Sequence, residues 1–521
     1  MLKEREKDSQ TLIAFVIFFH YIPCSLYLPH LLVGVVYERP AIDGGIFLDK
    51  TWNSFVIRGK RKAFMSMDKN ISVLDDDRIG RLLLKLSIPA FIGIFVIGMY
   101  NVVDTFFIGR FVGSLGIAGI SIVFPIQMVS MGIGMMFGIG GASLISRSIG
   151  AGDIDKAERA LGNVIFSIVI LLILLTIAGL LYADYWLRLM GASDQVLPYS
   201  RDYYNIIMFG LIFQTLAMSV NGLLMSEGNA RVAMIGTIIG ALSNILLDWL
   251  FIVILGMGVK GAAVGTVIAQ IMSLSFLLGF YYTDRSFIKI RLSNMAIKWD
   301  IFMEIIAVGS SSLLMVIASS TSVLFINRSL VAYGGDIAVS AYGIVNRLTM
   351  FIAMPGISIG QGLQPIMGFN YGVKRYDRAL RLTKIVIITM TFFGLALFGI
   401  LFFNPGFFVR IFTTEAELIS LANYAAKIVF SSVFFTGFII SGTSIFQALG
   451  KAKIAFIITL RPLIFLLPLV LILPRFFYLD GVFMAWPITE FLGFILAMCM
   501  VIPQIMEFRR LKMSEAGINV K

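Results

Sequence analysis

The sequence predicts an all-α integral membrane protein of twelve transmembrane helices, in two six-helix lobes related by a pseudo-two-fold axis along the membrane normal. Three observations predict it. The composition is too apolar for a water-soluble domain, twelve apolar runs are long enough to cross a bilayer, and the second half of the chain superposes on the first at an offset of 222 residues.

Of the 521 residues 58% are apolar and 14% charged, and mean hydropathy is +0.91, beyond what soluble domains use. The two cysteines, Cys24 and Cys499, and the two histidines, His20 and His30, match no metal or disulfide framework. No Ser/His dyad, Gly-Xaa-Asp pair or metal cluster is available for an intramembrane enzyme, so a non-enzymatic protein without a cofactor is expected.

The twelve runs lie near 84–109, 115–141, 161–183, 199–225, 231–256, 259–283, 302–331, 337–364, 382–404, 419–447, 453–475 and 479–506. If residue 84 enters from the cytoplasm, alternate loops collect basic residues such as Arg78, Arg81, Arg147, Lys156, Lys374, Arg375 and Lys451. The opposite loops hold about a third as many, and the positive-inside rule then puts both ends of the twelve-helix core in the cytoplasm. The net charge of +12 and pI near 9.6 have this topological origin and call for no nucleic-acid partner.

Residues 1–66 fall outside the scheme. Their apolar run 12–36 is broken by Pro23 and Pro29, and the basic cluster Arg58-Gly-Lys-Arg-Lys62 follows. This segment reads as a translated leader or a disordered appendage ahead of a start at Met65 or Met67, with one extra helix as the alternative.

The offset of 222 carries Gly113, Gly134, Gly138, Gly140 and Gly150 onto Gly335, Gly356, Gly360, Gly362 and Gly372. Chance would supply about one such partner for the nine glycines between 113 and 150. Six spans per unit give both halves one orientation, with a cleft between them, as in membrane carriers. The expected division is an N-lobe over 67–285, a cytoplasmic linker over 286–300 and a C-lobe over 301–521 with a cytoplasmic tail.

Charge within hydrocarbon is costly unless it is paired or lines a cavity, so intramembrane acids are the informative residues. The first half has two, Asp104 and Asp248, at similar depth in the outer leaflet on helices running in the same direction. Asn101 precedes Asp104 by three residues and Asn244 precedes Asp248 by four, so each acid has an amide on its own helical face. Thr266 and Tyr204 enter the same layer from neighbouring spans. Two acids in one low-dielectric chamber cannot both stay ionised cheaply, so one takes a proton or a Na⁺ binds through the oxygens. The alternative, in which each aspartate caps a broken helix or bonds a neighbouring asparagine, stays open.

The second half has Ile326 and Val470 where the first has Asp104 and Asp248. Glu490, midway through the last span, is either a substrate counter-ion or the neutralising partner of Arg347 or Arg461, and the ion pair is preferred. Met131, Met135, Phe137, Met315 and Met354 are candidates for a cleft that accepts apolar cations, through thioether and aromatic contacts.

Five stretches occur in order along the chain: Tyr100-Asn-Val-Val-Asp-Thr-Phe-Phe-Ile-Gly109, Ser146-Arg-Ser-Ile-Gly-Ala-Gly-Asp-Ile-Asp-Lys-Ala157, Asn244-Ile-Leu-Leu-Asp248, Gly261-Ala-Ala-Val-Gly-Thr266 and Asn370-Tyr-Gly-Val-Lys-Arg-Tyr-Asp-Arg-Ala379. Together they resemble the multidrug and toxic compound extrusion (MATE) family, in its bacterial and archaeal branch, over residues 70–510. The resemblance implies a monomeric, multi-pass antiporter of the cell (inner) membrane, in contact with lipid, that exports small-molecule cationic drugs by alternating access against inward Na⁺ or H⁺. It implies a coupling-ion site at Asp104, Asn244, Asp248 and Thr266. The family's tyrosine falls at Tyr203 or Tyr204, of which Tyr204 is taken. A different branch uses second-lobe carboxylates, but Ser319 stands where one would be expected. A flippase of lipid-linked or polyprenyl-linked substrates in the same superfamily is the rival reading, and the first-half acids argue against its anionic cargo.

Overall fold

A computed structural model describes Leu74, Asp76 and residues 78–515, and every regular element among them is helical. The expectations for residues 1–66 lie outside the described residues. Spanning helices are numbered here in chain order. The first lobe has α1 (Ile79–Phe111), α2 (Ser114–Gly150), α3 (Ile154–Leu181), α4 (Leu197–Ser226), α5 (Ala230–Asp248, continued by a π-helical turn over Trp249–Ile254) and α6 (Gly258–Tyr281).

A single helical run, Trp299–Gly372, follows. At 1.5 Å per residue it would measure about 110 Å, more than three times the hydrocarbon core, so it cannot be one span. The backbone of Gly335 breaks it, with φ 66 and ψ −167, and residues 299–334 and 336–372 are α7 and α8. Beyond them come α9 (Tyr376–Phe403), α10 in two pieces (Ala416–Phe430 and Val433–Ala448), α11 (Ala452–Thr459, a π-helical turn over Pro462–Leu466, and Leu467–Ile472) and α12. That last helix occupies 479–515, after a break at Tyr478 within the run Pro474–Glu515. The two pieces of α10 meet at 48°, where Ser431 and Ser432 donate their hydroxyls back to the carbonyls of Ile428 and Val429 and divert the helical ladder. The described residues thus form an all-α membrane protein of twelve spans.

The 222-residue offset reappears in the backbone. Left-handed φ values occur in pairs at Gly113 and Gly335, Gly152 and Lys374, Gly228 and Gly450, and Gly256 and Tyr478. Lys374 and Tyr478 accept a conformation that costs a side chain about 1–2 kcal/mol, so what repeats is the turn geometry itself. Helix packing repeats as well: α4 packs on α2 and α6, as α10 packs on α8 and α12.

Two helices run further than hydropathy indicated. The second and eighth apolar runs were expected to end at 141 and 364, whereas α2 and α8 continue to Gly150 and Gly372. These extra turns are packed in protein, which tolerates the hydroxyls of Ser143 and Ser146 because each finds a carbonyl. They also close the cleft on the side of the basic loops. A Cβ on Gly309 would overlap the carbonyl oxygen of Met136, and one on Gly140 that of Ile305, so the lobes touch backbone to backbone. Arg147 and Lys156 of the first lobe pair with Glu304 of the second at 2.9 and 3.1 Å. Toward the opposite side Val102 and Val129 of the first lobe and Met350 of the second are 59%, 52% and 62% exposed.

The segment after α6 is held against the first lobe. Glu158 accepts from the Lys289 amide and pairs with Arg291 at 2.9 Å, and Asn163 donates to the Lys298 carbonyl. Glu227, buried just beyond α4, accepts from the Ser286 hydroxyl at 2.9 Å and the Phe287 amide at 3.1 Å. Burial pushes its carboxyl up to about 8, against the opposing pull of those two donors and of Lys289. The folded state therefore holds a proton that the unfolded carboxyl, near 4.5, has already released. Stability contributed here falls as pH rises from about 4.5 to about 8. Glu227→Gln keeps the acceptor and removes the titration. Melting of the detergent-solubilised variant should be flatter over that window and, above pH 7, more stable by on the order of a few kcal/mol.

Candidate functional site

Within the first lobe α1, α5 and α6 converge on a polar chamber. Asp104 on α1 and Asp248 at the end of α5 lie close enough for each carboxyl to feel the other's charge. Two carboxylates held this close repel each other, an arrangement that a proton or a cation between them would relieve. Asn244, one turn before Asp248, donates to the Thr266 hydroxyl of α6 at 3.3 Å. Gly265 lets α6 approach, since a Cβ there would lie 2.9 Å from Asp248 Oδ1. The α-helical ladder gives way to a π-turn immediately after Asp248, a distortion common at functional sites.

The oxygens are the telling feature. Asp104 Oδ1, both oxygens of Asp248 and the amide oxygen of Asn244 are buried with no hydrogen-bond donor. Buried acceptors are ordinarily satisfied, and leaving charged ones unpaired costs several kcal/mol. Two carboxyls with an amide and a hydroxyl oxygen form a hard, oxygen-only set that suits a proton or Na⁺. Among the described residues no three His, Cys, Asp or Glu side chains stand together, and the groups beside the two carboxyls, Asn244 and Thr266, are neutral.

Two expected members lie elsewhere. Asn101 turns its amide to the Ile97 carbonyl of its own helix and is exposed on the cleft side. Tyr204 donates to the Gly179 carbonyl of α3, away from the chamber. Its neighbour Tyr203 bonds Gln127 at 3.4 Å and lies within electrostatic range of both aspartates, as does Tyr100. The phenols nearest the chamber are therefore Tyr203 and Tyr100, and Tyr204 is turned away because one residue turns a helix by about 100°. Tyr100 was legible: it precedes Asp104 by four residues, which sets both on one helical face.

The second lobe fills the equivalent space with apolar side chains, Ile326 and Val470, both buried. Glu490 does not reach the cleft. It is buried, pairs with Arg461 at 3.0 Å and accepts from Thr436 at 2.8 Å. Met354 faces the first lobe and touches Gly98, Met131 and Met135 are half-buried on α2, and Met315 is 40% exposed. Phe137 is buried against Phe302 in the closed half of the interface, away from the open cleft.

The MatE family model matches the chain twice, over 89–250 and 311–473, one match in each half. The multidrug export protein MepA of Staphylococcus saprophyticus is 26% identical over 416 residues, covering 80% of this chain and 90% of MepA. MepA of Staphylococcus aureus NCTC 8325 is 25% identical over 434 residues, covering 83% and 96%. Among solved structures, the MATE multidrug transporter DinF-BH superposes with a TM-score of 0.77 at 39% identity, covering 82% of this chain and 96% of that one. An outward-facing MATE transporter, 24% identical, shares the fold with a TM-score of 0.79 over 85% of this chain and 99% of its own. Twelve spans, a repeat that one family model matches twice and extended likeness to solved transporters make this chain a member of the multidrug and toxic compound extrusion (MATE) family.

Proposed function

We propose that this chain is an ion-coupled multidrug antiporter of the cell (inner) membrane that exports cationic amphipathic compounds from the cytoplasm by alternating access, as a monomer with both ends of its twelve-helix core cytoplasmic. The observation that carries the reading is the set of four buried acceptor oxygens at Asp104, Asp248 and Asn244 without a donor. Asp104, Asn244, Asp248 and Thr266 form the coupling site on this reading, with Tyr203 as its phenol. The basic loops face the cytoplasm, so the cleft is closed inside and open outside. Na⁺ or H⁺ reaching the two carboxyls from outside neutralises them and favours closure over the site. A drug then binds from the cytoplasm as the lobes, 67–285 and 301–521, rock about the linker 286–300. Exchange requires only that ion and drug favour different states, by about 1–3 kcal/mol.

The test is purified protein in liposomes, with a cationic dye followed under an imposed Na⁺ gradient and then an imposed pH gradient. Dye movement against one of them is expected, and which one identifies the ion. Movement under neither gradient rejects the coupling and favours a flippase of lipid-linked cargo.

A further inference from the structure

Arg347 on α8 is a charge that the ion-coupling reading does not use. It lies within a membrane-spanning helix and is exposed, with no hydrogen-bond or ion-pair partner among the described residues. Its direction follows from helix phase. Ala338, Ala341, Tyr342, Val345 and Leu348 turn into the core of their own lobe. Arg347 points the other way, in line with Met354 two turns along, and Met354 touches Gly98 of α1. Arg347 therefore faces the cleft.

Its depth follows as well. The two helices run antiparallel, so seven residues outward from the contact between Met354 and Gly98 lead to Arg347 on α8 and to Thr105 on α1, about 10 Å from that contact on each. Asp104, half-buried, is the next residue to Thr105. An unpaired guanidinium thus stands on one wall of the open cleft, level with the half-buried Asp104 on α1, the helix that forms the facing wall.

While the cleft is open, water solvates Arg347. Closing it removes that water, and an unpaired charge at this depth costs about 3 kcal/mol or more. Asp104 is the acid of α1 at that level, and the guanidinium is a cation that cannot be deprotonated.

We propose that Arg347 is a tethered competitor of the coupling ion: when the outer cleft closes, its guanidinium approaches Asp104 and lowers the site's affinity for the bound cation, promoting release to the cytoplasm. The inference rests on the coupling role proposed above for Asp104 and Asp248. Arg347 acts through those carboxyls and is a positioning residue; it holds neither ion nor drug.

The test compares wild type, Arg347→Lys and Arg347→Gln in liposomes, using whichever of Na⁺ or H⁺ drives the wild type. The readout is the concentration of that cation on the release side that halves dye efflux. A like charge a few ångströms from an ion site changes its affinity by about tenfold or more, so Arg347→Gln should be inhibited at about one-tenth the wild-type concentration, while Arg347→Lys stays near wild type. Misfolding alone would lower the rate without moving this midpoint. Equal midpoints in all three proteins overturn the proposal. If neither gradient drives the wild type, the coupling reading fails and this inference fails with it, an outcome distinct from equal midpoints. Closure is read separately by a short cross-linker between cysteines at 105 and 347, in a background without Cys24 and Cys499. Cross-linking supports the approach, and its absence in a variant that still transports overturns it.

Discussion

Asp104→Asn is expected to uncouple transport: gradient-driven dye efflux falls by about 5–150-fold, the range of a typical coupling free energy, while folding and drug binding persist. The reason lies in hydrogen-bond chemistry. The chamber is rich in acceptors, with both oxygens of Asp248 and the amide oxygen of Asn244 lacking a donor. An asparagine at 104 brings two N–H donors into it and can donate to Asp248, imitating permanently the occupied state that a proton or Na⁺ produces transiently. The carrier then behaves as though loaded at every moment. Efflux under the driving gradient should collapse, whereas binding of a fluorescent drug to the detergent-solubilised variant should change little. Full gradient-driven efflux by Asp104→Asn would remove Asp104 from the coupling scheme.

Gly309→Ala should have an effect of similar size on a different step. The added methyl would overlap the carbonyl oxygen of Met136, and rigid backbone on both sides leaves no flexible side chain to yield. The lobes can then no longer close on the basic side, although each can still fold, because Gly309 packs against the other lobe. Overlap on this scale costs about 1–3 kcal/mol or more, enough to shift a two-state population by about 5–150-fold. The measurement is the distance between spin labels placed on the basic-side loops of the two lobes. A population with longer distances and lost efflux is expected. An unchanged distance distribution would show that the interface absorbs the methyl, and that the closed state depends instead on the pairing of Glu304 with Arg147 and Lys156.

The candidate site is partly legible in the sequence. Asp104, Asp248, Asn244 and Thr266 stand out because an acid or amide inside an apolar run is conspicuous, and four-residue spacing places such groups on one helical face. Tyr203 is passed over in favour of Tyr204, since adjacent residues differ only in helical phase and either reading satisfies the composition. Asn101 enters the site because it shares a face with Asp104, yet an asparagine at a cleft edge can satisfy its amide on its own helix, and this one does. Phe137 is assigned to the cleft by residue type, while its burial depends on which half of the interface is shut.

The sequence by itself determined the solvent, the twelve spans beyond residue 78 and the repeat. Those properties are carried by composition and by periodicity along one chain, and hydrophobic length is a one-dimensional quantity. Only the tertiary structure decided where α2 and α8 end, which tyrosine faces the aspartates, how Glu490 is paired and on which side the cleft is closed. Each of these depends on what a residue meets across space. Glu490 has Arg461 within 3.0 Å although 29 positions separate them, and Gly309 meets Met136 from the other lobe. A carbonyl or guanidinium supplied by a distant helix can neutralise a polar group that local sequence would leave orphaned, and that exchange of partners appears only once the helices are packed.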